Sequence, residues 1–249
     1  MIFFKEFFSS VRCFLQAFGF LNRYRLWGFF FIPALLNLII FIFIGYLAFI
    51  YSGELIRYFG DLLQIETQTA VTIVQFLIAL VVRTIIILIY LKLYRYLSLI
   101  FLAPVLVIMA DRLYRINHPE GSPLNAKRII SDAWRGAGLA LNNLIRELSL
   151  TAIILLGAIL VPILAPAAPF VIFFIESYFY GFSMIDYFNE QKHMSAQQSR
   201  NFVWLHKGTT MGIGAMFNIL ILLPVIGVIL APQMALTGAY ISLQKLNNP

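Results

Sequence analysis

The chain alternates long apolar stretches with short segments that carry nearly all of its charge. Residues 27–51 contain no charged side chain, and a helix of this length reaches about 37 Å, enough to cross a hydrocarbon core of about 30 Å. Trp27, Tyr46 and Tyr51 lie near its ends, as interfacial aromatic residues do. Pro33 falls in the first two turns, where a missing N–H costs little. We therefore predict the first transmembrane helix over residues 27–51.

A second apolar stretch covers residues 70–91 and contains one charged residue, Arg83. The apolar pattern continues beyond it as far as Met109. A single helix of about 40 residues would be about 60 Å long, which is far more than the bilayer requires. We therefore predict a second transmembrane helix over 70–91, which bends near Pro104 and continues as a cytoplasmic helix to about residue 116.

Two later apolar stretches, over residues 148–175 and 208–243, are interrupted by proline and glycine. Three prolines within eight residues cannot lie inside one regular helix, and each uninterrupted arm is too short to span. We predict two re-entrant helical hairpins that enter the bilayer part-way, where protein or water must surround the broken backbone. The alternative is that each stretch is one kinked spanning helix, which gives four spans. The predicted turn residues are Pro162, Pro166, Pro169, Pro224, Gly227 and Pro232.

Residues 1–26 begin with an amphipathic pattern at helical spacing. A helix of this kind can lie in the membrane interface, or it can pack against the rest of the protein, and the pattern allows both. No cleavable signal peptide is predicted, because no basic region precedes an uninterrupted apolar core. The apolar face holds Phe3, Phe4, Phe7, Phe8, Val11, Phe14, Leu15 and Phe18.

The composition supports a membrane location for the whole chain. Of the 249 residues, 61% are apolar and 12% are charged, whereas about 25% of an ordinary soluble domain is charged. The mean hydropathy is +0.87, so there is too little polar surface to cover a soluble globule. The lone Cys13 excludes an intrachain disulfide. We predict a single all-α integral membrane domain.

The formal charge of +7 lies in the segments that flank the apolar stretches. Basic residues precede the first predicted span and follow the second, whereas the link over residues 52–69 has only Arg57. The positive-inside rule therefore places the N-terminus and most loops in the cytoplasm. No nucleic-acid-binding motif is present, so the predicted partners are the lipid bilayer and a small anion.

The interrupted helices suggest how an anion would be held. Helix ends at membrane depth expose unpaired N–H groups and a positive dipole end, which membrane transporters use to bind anionic groups. Arg83 is a candidate for the pathway, with Gln75 on the same helix face; alternatively, Arg83 extends to the interface or lies at a dimer contact. Asn37 and Asn218 are further polar candidates, although hydrogen bonds between helices explain them equally well.

Arg23 and Arg25 come directly before the first predicted span. They either anchor the helix on its cytoplasmic side, as the positive-inside rule describes, or they capture an anion at the cytoplasmic mouth of a pathway. The sequence alone leaves both interpretations open.

Signatures of an enzyme are missing from the sequence. There is no HExxH, no GxSxG and no phosphate-binding GxxxxGK[ST] motif, and the three histidines do not have metal-ligand spacing. The acidic residues lie beside basic or aromatic residues at helix ends, where charge balance explains them. We predict no enzyme activity, no metal and no cofactor. These acidic residues are Asp111, Asp132, Glu147, Glu176 and Asp186.

Several short patterns occur together in a specific order. They are Phe31-Ile32-Pro33-Ala34-Leu35-Leu36-Asn37, Ala103-Pro104 with Met109-Ala110-Asp111, Asp186-Tyr187 with Arg200, Gly214, Leu223-Pro224, Ala231-Pro232 and Thr237-Gly238-Ala239. In this order and spacing the chain resembles the CysZ-type sulfate permeases, a family that includes the etoposide-induced proteins. The resemblance covers most of the chain.

The resemblance implies two long transmembrane helices with two hemi-penetrating hairpins, in homo-oligomers of the inner membrane. It also implies sulfate uptake that feeds cysteine biosynthesis. The family's sulfate-contacting motif is Gly-Leu-Arg, and its positions here hold Arg25, Leu26 and Trp27, of which only Leu26 matches. Arg23 or Arg25 would then supply the missing charge. The resemblance also allows protomers inserted in opposite orientations, but the loop charges here argue against a fully dual topology.

Two functions remain as hypotheses. The first is a membrane permease or channel for a small inorganic anion, with sulfate as the first choice. The alternative is a non-transporting membrane scaffold of the same fold, which organises partner proteins.

Overall fold

A computed structural model describes residues 2–31, 100–119, 125–223 and 226–247, together with scattered helical residues between 34 and 51 and at Thr84. The chain divides into two compact units, one made of residues 1–35 and 99–249 and the other of residues 36–98. The described residues of the second unit are helical. The predicted second span over 70–91 lies outside the described residues except for Thr84, as does much of the first over 27–51. No strand occurs in the described ranges, which confirms the all-α class there.

The described part of the first unit is built from helices. In chain order they are α1 (Ile2–Arg23), a 3-10 helix (Leu26–Phe30), a helix over residues 100–115, α2 (Ala126–Leu160), a second 3-10 helix (Pro162–Ala167), α3 (Ala168–Gln191), α4 (Ala196–Leu205), α5 (Lys207–Ile221) and α6 (Ile226–Asn247). Side chains fix two of the starts. Asn125 accepts a hydrogen bond from the Arg128 amide at 2.8 Å, and Ser195 and Gln198 form a capping box at α4.

Helices α2 and α3 form an antiparallel hairpin. Arg135 bonds Asp186 near its open end, and Asn143 bonds Ser183 at 3.1 Å further along. The chain reverses at the second 3-10 helix, because the closely spaced prolines prevent a regular helix from continuing. The arms extend to Ala126 and Gln191, well beyond the predicted limits of 148–175. Only the part near the turn is free of charge.

Helices α5 and α6 form a second antiparallel hairpin. Helix α5 ends at Ile221 and helix α6 begins at Ile226, so only four residues connect them. Gly227 lies against the backbone of Leu220, and a Cβ there would collide with that carbonyl oxygen. Pro232 was predicted to lie in the turn, and this placement is wrong: Pro232 lies inside α6, and the reversal is complete before it. Pro224 lies outside the described residues.

Glycines set the distance between α3 and α5. A Cβ at Gly181 would collide with the carbonyl oxygen of Thr210, and one at Gly214 with the carbonyl oxygen of Ser177. The two backbones therefore touch, as small residues permit between membrane helices. Beside this contact Tyr180 packs on Phe217 with ring centroids 4.9 Å apart.

Helix α1 has two apolar faces instead of the single face that its sequence pattern predicts. Ser10, Cys13, Phe14, Ala17 and Leu21 are buried against the rest of the unit, where α1 contacts α5 and α6. Phe14 was assigned to the apolar stripe but belongs to this packed face. The helix thus packs on the protein and still presents an apolar surface. This exposed stripe consists of Phe4, Phe8, Leu15 and Phe18.

The contact between α3 and α5 predicts that a glycine-to-alanine substitution changes stability differently at this contact and at an open position. Gly214→Ala should lower the free energy of unfolding by about 1–3 kcal/mol, because the new methyl group pushes two backbones apart. Gly19→Ala is the matched control, since Gly19 lies in helix α1 and a Cβ there meets nothing within 4 Å. It should stabilise the helix by about 0.5–1 kcal/mol. Thermal unfolding of both variants in detergent micelles measures this, and equal effects would contradict the packing argument.

Candidate functional site

The predicted anion-binding residues lie where the chain leaves α1. The helix ends at Arg23, and Arg25 takes the left-handed conformation, with φ 52° and ψ 41°. Its amide donates to the carbonyl of Asn22 at 3.2 Å. The side chains of Arg23 and Arg25 are exposed. The structure thus places both guanidinium groups at one chain reversal.

The two residues that follow are packing residues in this structure. Leu26 is buried and begins the first 3-10 helix. Trp27 packs edge-on against Phe18, with ring centroids 5.2 Å apart, and its Nε1 donates to the Asn22 side chain at 3.4 Å. Neither adds a charge to the two arginines.

The resemblance implies a glycine at the position of Arg25, and the left-handed conformation of Arg25 is one that suits glycine. A residue with a Cβ is strained there by about 1–2 kcal/mol, whereas glycine is not. A sequence pattern reports the arginine at this position but not its backbone conformation.

Substitutions at Arg25 should reveal this strain. Arg25→Gly is expected to leave the midpoint of thermal unfolding unchanged or raised, because glycine relieves the left-handed strain. Arg25→Val should lower the free energy of unfolding by about 1–2 kcal/mol, since β-branched residues fit this region poorly. Thermal unfolding in detergent is the measurement. A valine variant as stable as the glycine variant would show that the reversal does not need this conformation.

The predicted pathway residues are only partly described. Arg83, Gln75 and Asn37 lie outside the described residues. Asn218 is buried in α5, and its Nδ2 donates to Ser177 Oγ at 3.3 Å. This bond joins α5 to α3, so the interpretation of Asn218 as a hydrogen bond between helices is supported.

A polar cavity of about 810 Å³ lies at the open end of the hairpin formed by α2 and α3. Its walls come from the end of the 100–115 helix, the first turn of α2 and the end of α3 with the residues after it. Sequence analysis did not predict this cavity, because its residues are far apart in the chain. The charged residues and histidines of its lining are Asp111, Arg115, Arg128, Lys192, His118 and His193.

Hydrogen bonds hold the two arginines of this cavity in place. Arg115 Nε donates to Asp111 Oδ2 at 2.6 Å, and Arg128 Nη2 donates to Gln191 Oε1 at 2.8 Å. Lys192 differs from these two arginines, because no carboxylate in the described part of the chain lies within ion-pair distance of its ammonium group. Its Nζ lies 6.0 Å from the centre of the Phe202 ring, and burial lowers the pKa of Lys192.

A buried network adjoins the cavity and ties three helices together. Asp186 accepts from Ser199 Oγ at 2.5 Å and from Arg135 Nη2 at 3.2 Å. Arg135 also reaches Glu190 at 3.4 Å, and Asn189 donates to Ser199 at 3.0 Å. The predicted charge balance is therefore confirmed for Asp186, as it is for Asp111 with Arg115 and for Asp132 with Arg128. The described residues contain no cluster able to hold a metal ion.

Two described segments, Ala126–Leu160 and Pro162–Gln191, are long and apolar enough to cross a membrane. Together with the exposed apolar turn between them, they have the length and composition of helices in membrane proteins. The sequence profile described as sulfate transporter CysZ/etoposide-induced protein 2.4 matches residues 13–232. The chain belongs to this family, as its sequence patterns predict. A comparison with curated proteins gave no match.

Proposed function

We propose that the protein is a membrane permease or channel for a small inorganic anion, and that sulfate is the first candidate. The observation that carries this proposal is the family match over residues 13–232. The formal charge of +7 and the two arginines exposed after α1 agree with an anionic substrate. We also propose that the protein works as a homo-oligomer in the inner membrane, with its N-terminus and most loops in the cytoplasm.

We infer that the turn between α2 and α3 stays within the bilayer. No charged residue occurs between Glu147 and Glu176, and Leu160 and Ile163 at the turn are 80% and 85% exposed. An arm from residue 148 to residue 160 is about 20 Å long, shorter than a hydrocarbon core of about 30 Å. A hairpin that crossed completely would place this apolar turn in water, at a high cost in exposed apolar surface.

Labelling of engineered cysteines tests the depth of this turn. In a Cys13→Ala background, Ile163→Cys should resist a membrane-impermeant maleimide added to either side of sealed vesicles. Lys127→Cys is the control, because Lys127 is exposed at the open end of the same hairpin and should react from one side. Reaction of the cysteine at 163 from the side opposite to 127 would mean that the hairpin crosses completely.

We propose that Arg23 and Arg25 attract the anion at the start of its path. Both side chains are exposed at the same chain reversal, and burial of Leu26 fixes the backbone beside them. Two cations close together raise the local anion concentration. In this proposal the arginines replace the charge that the family motif carries where this chain has Trp27.

Sulfate flux into proteoliposomes tests the proposed function. The wild-type protein should take up radiolabelled sulfate faster than protein-free vesicles do. Arg23→Gln combined with Arg25→Gln should reduce uptake about tenfold, because the loss of a charged hydrogen-bond donor costs about 1.5–3 kcal/mol. Lys5→Gln combined with Arg12→Gln removes the same charge from exposed positions on α1 and should change uptake less than about twofold.

The same assay also tests what remains of the family motif. The double variant Arg25→Gly with Trp27→Arg should take up sulfate at least as fast as the wild-type protein, because both motif positions are then filled. Absence of flux for sulfate, thiosulfate, selenate and phosphate in the wild-type protein would refute transport. That result would favour the alternative, a non-transporting scaffold of the same fold.

A further inference from the structure

We infer that the polar cavity at the open end of the α2–α3 hairpin is a second oxyanion-binding site, in which Lys192 contacts the ligand. The chemistry it would recognise is a tetrahedral sulfate or phosphate group. The inference rests on the proposed function for the identity of the anion, whereas the site itself is argued from the cavity and its charges.

The lining of the cavity is predominantly cationic. Arg115, Arg128 and Lys192 face a single carboxylate, that of Asp111. This carboxylate is already bound by Arg115 at 2.6 Å, and Arg128 pairs with Asp132 at 3.5 Å, so Lys192 supplies the excess positive charge of the wall. A concave surface with an excess of one charge concentrates the opposite ion.

Lys192 is the residue whose position a bound anion best explains. Its ammonium group is partly removed from water, and this burial is the cause of its lowered pKa. The face of the Phe202 ring provides partial compensation from 6.0 Å, and no carboxylate within the described ranges lies close enough to form an ion pair. An anion in the cavity would supply the missing opposite charge.

The surrounding structure holds Lys192 in this position. Its backbone amide donates to the carbonyl of Phe188 at 3.2 Å and closes helix α3. The next residue, His193, is left-handed with φ 57° and turns the chain away from the helix. The Gln191 side chain is bonded to Arg128 at 2.8 Å, which fixes the cavity wall on α2. The site is thus organised before a ligand binds, and this favours affinity.

The size of the cavity limits what the ligand can be. A volume of about 810 Å³ falls in the range of small-molecule sites, about 300–1,000 Å³, and is far larger than a bare sulfate ion. The oxyanion therefore enters with water, or it is the head group of a larger molecule such as an anionic phospholipid. The experiment separates these two sources.

Protection of Lys192 from acetylation tests the site on the unmodified protein. The full chain in phosphatidylcholine nanodiscs is treated with a water-soluble acetylating reagent, in sodium sulfate or in sodium chloride of equal ionic strength. Mass spectrometry should show that sulfate slows acetylation of Lys192 at least threefold. Lys127 is the internal control, because it is exposed on the first turn of α2 outside the cavity, and its rate should not change.

Binding of radiolabelled sulfate to the same nanodiscs gives the second measurement. It is made in a background of Arg23→Gln and Arg25→Gln, so that these arginines do not contribute. Lys192→Gln should weaken binding about tenfold or more, whereas Lys127→Gln should change it less than about twofold. Lys192→Arg retains the charge and should retain binding, which separates loss of the site from loss of the fold.

A third arm identifies the source of the oxyanion. If nanodiscs with phosphatidylglycerol protect Lys192 in chloride and sulfate adds nothing, the ligand is a lipid head group. If neither sulfate nor phosphatidylglycerol protects Lys192 in preference to Lys127, the inference is wrong, even if sulfate flux is normal. Protection of Lys192 in a protein without flux would instead refute the proposed transport and leave the site standing.

Discussion

Helices α3 and α5 touch through their backbones because Gly181 and Gly214 carry no side chain where the helices meet. A single Cβ at either position would collide with a backbone carbonyl oxygen of the other helix. This contact brings the two hairpins together, since α3 belongs to the first and α5 to the second. In a bilayer there is little hydrophobic gain from joining helices, so close packing of this kind has to supply much of the association energy.

The same contact fixes the positions of the polar groups around it. Ser177 can reach Asn218 only because the backbones are close, and the bond of 3.3 Å spans the two hairpins. Near the other end of α3, helix α4 packs beside it. There Ser199 of α4 donates a hydrogen bond to Asp186 of α3. Asp186 is also held by Arg135 of α2. The end of α3, and with it Lys192, is therefore fixed from two sides.

The sequence predicts the structure well where the role of a residue depends on its neighbours along the chain. Closely spaced prolines must break a helix wherever they occur, so the reversal at Pro162 is predictable. Charge balance over one helical turn likewise predicts the pairing of Asp111 with Arg115. Arg135 and Asp186 are different, because their distance depends on how α2 folds back on α3. The cavity escaped prediction for the same reason, since its walls come from three separate parts of the chain.

The structure also departs from the sequence-based prediction where packing or backbone conformation constrains a residue as well as its chemical type. Pro232 lies inside α6, because that helix already begins at Ile226 and Gly227 lets it pack against the backbone of Leu220. Arg25 carries a charge and also occupies a left-handed position that suits glycine, and a sequence pattern reports only the charge. Helix α1 spaces its apolar residues so that Cys13, Phe14, Ala17 and Leu21 pack inward, whereas Phe4, Phe8, Leu15 and Phe18 remain outside. A single apolar face was therefore too simple a prediction for this helix.

The distribution of charge along the α2–α3 hairpin links the fold to an anion pathway. From Leu148 through the turn to Ile175 the hairpin has no charge, whereas arginines, carboxylates and Lys192 gather at its open end. An unpaired charge costs several kcal/mol inside hydrocarbon, so this pattern fixes how far the hairpin can enter a bilayer. In the proposed function the charged end lies near the membrane surface, where anions arrive from water. Attraction of the anion and anchoring of the hairpin are, in this proposal, two consequences of the same charges.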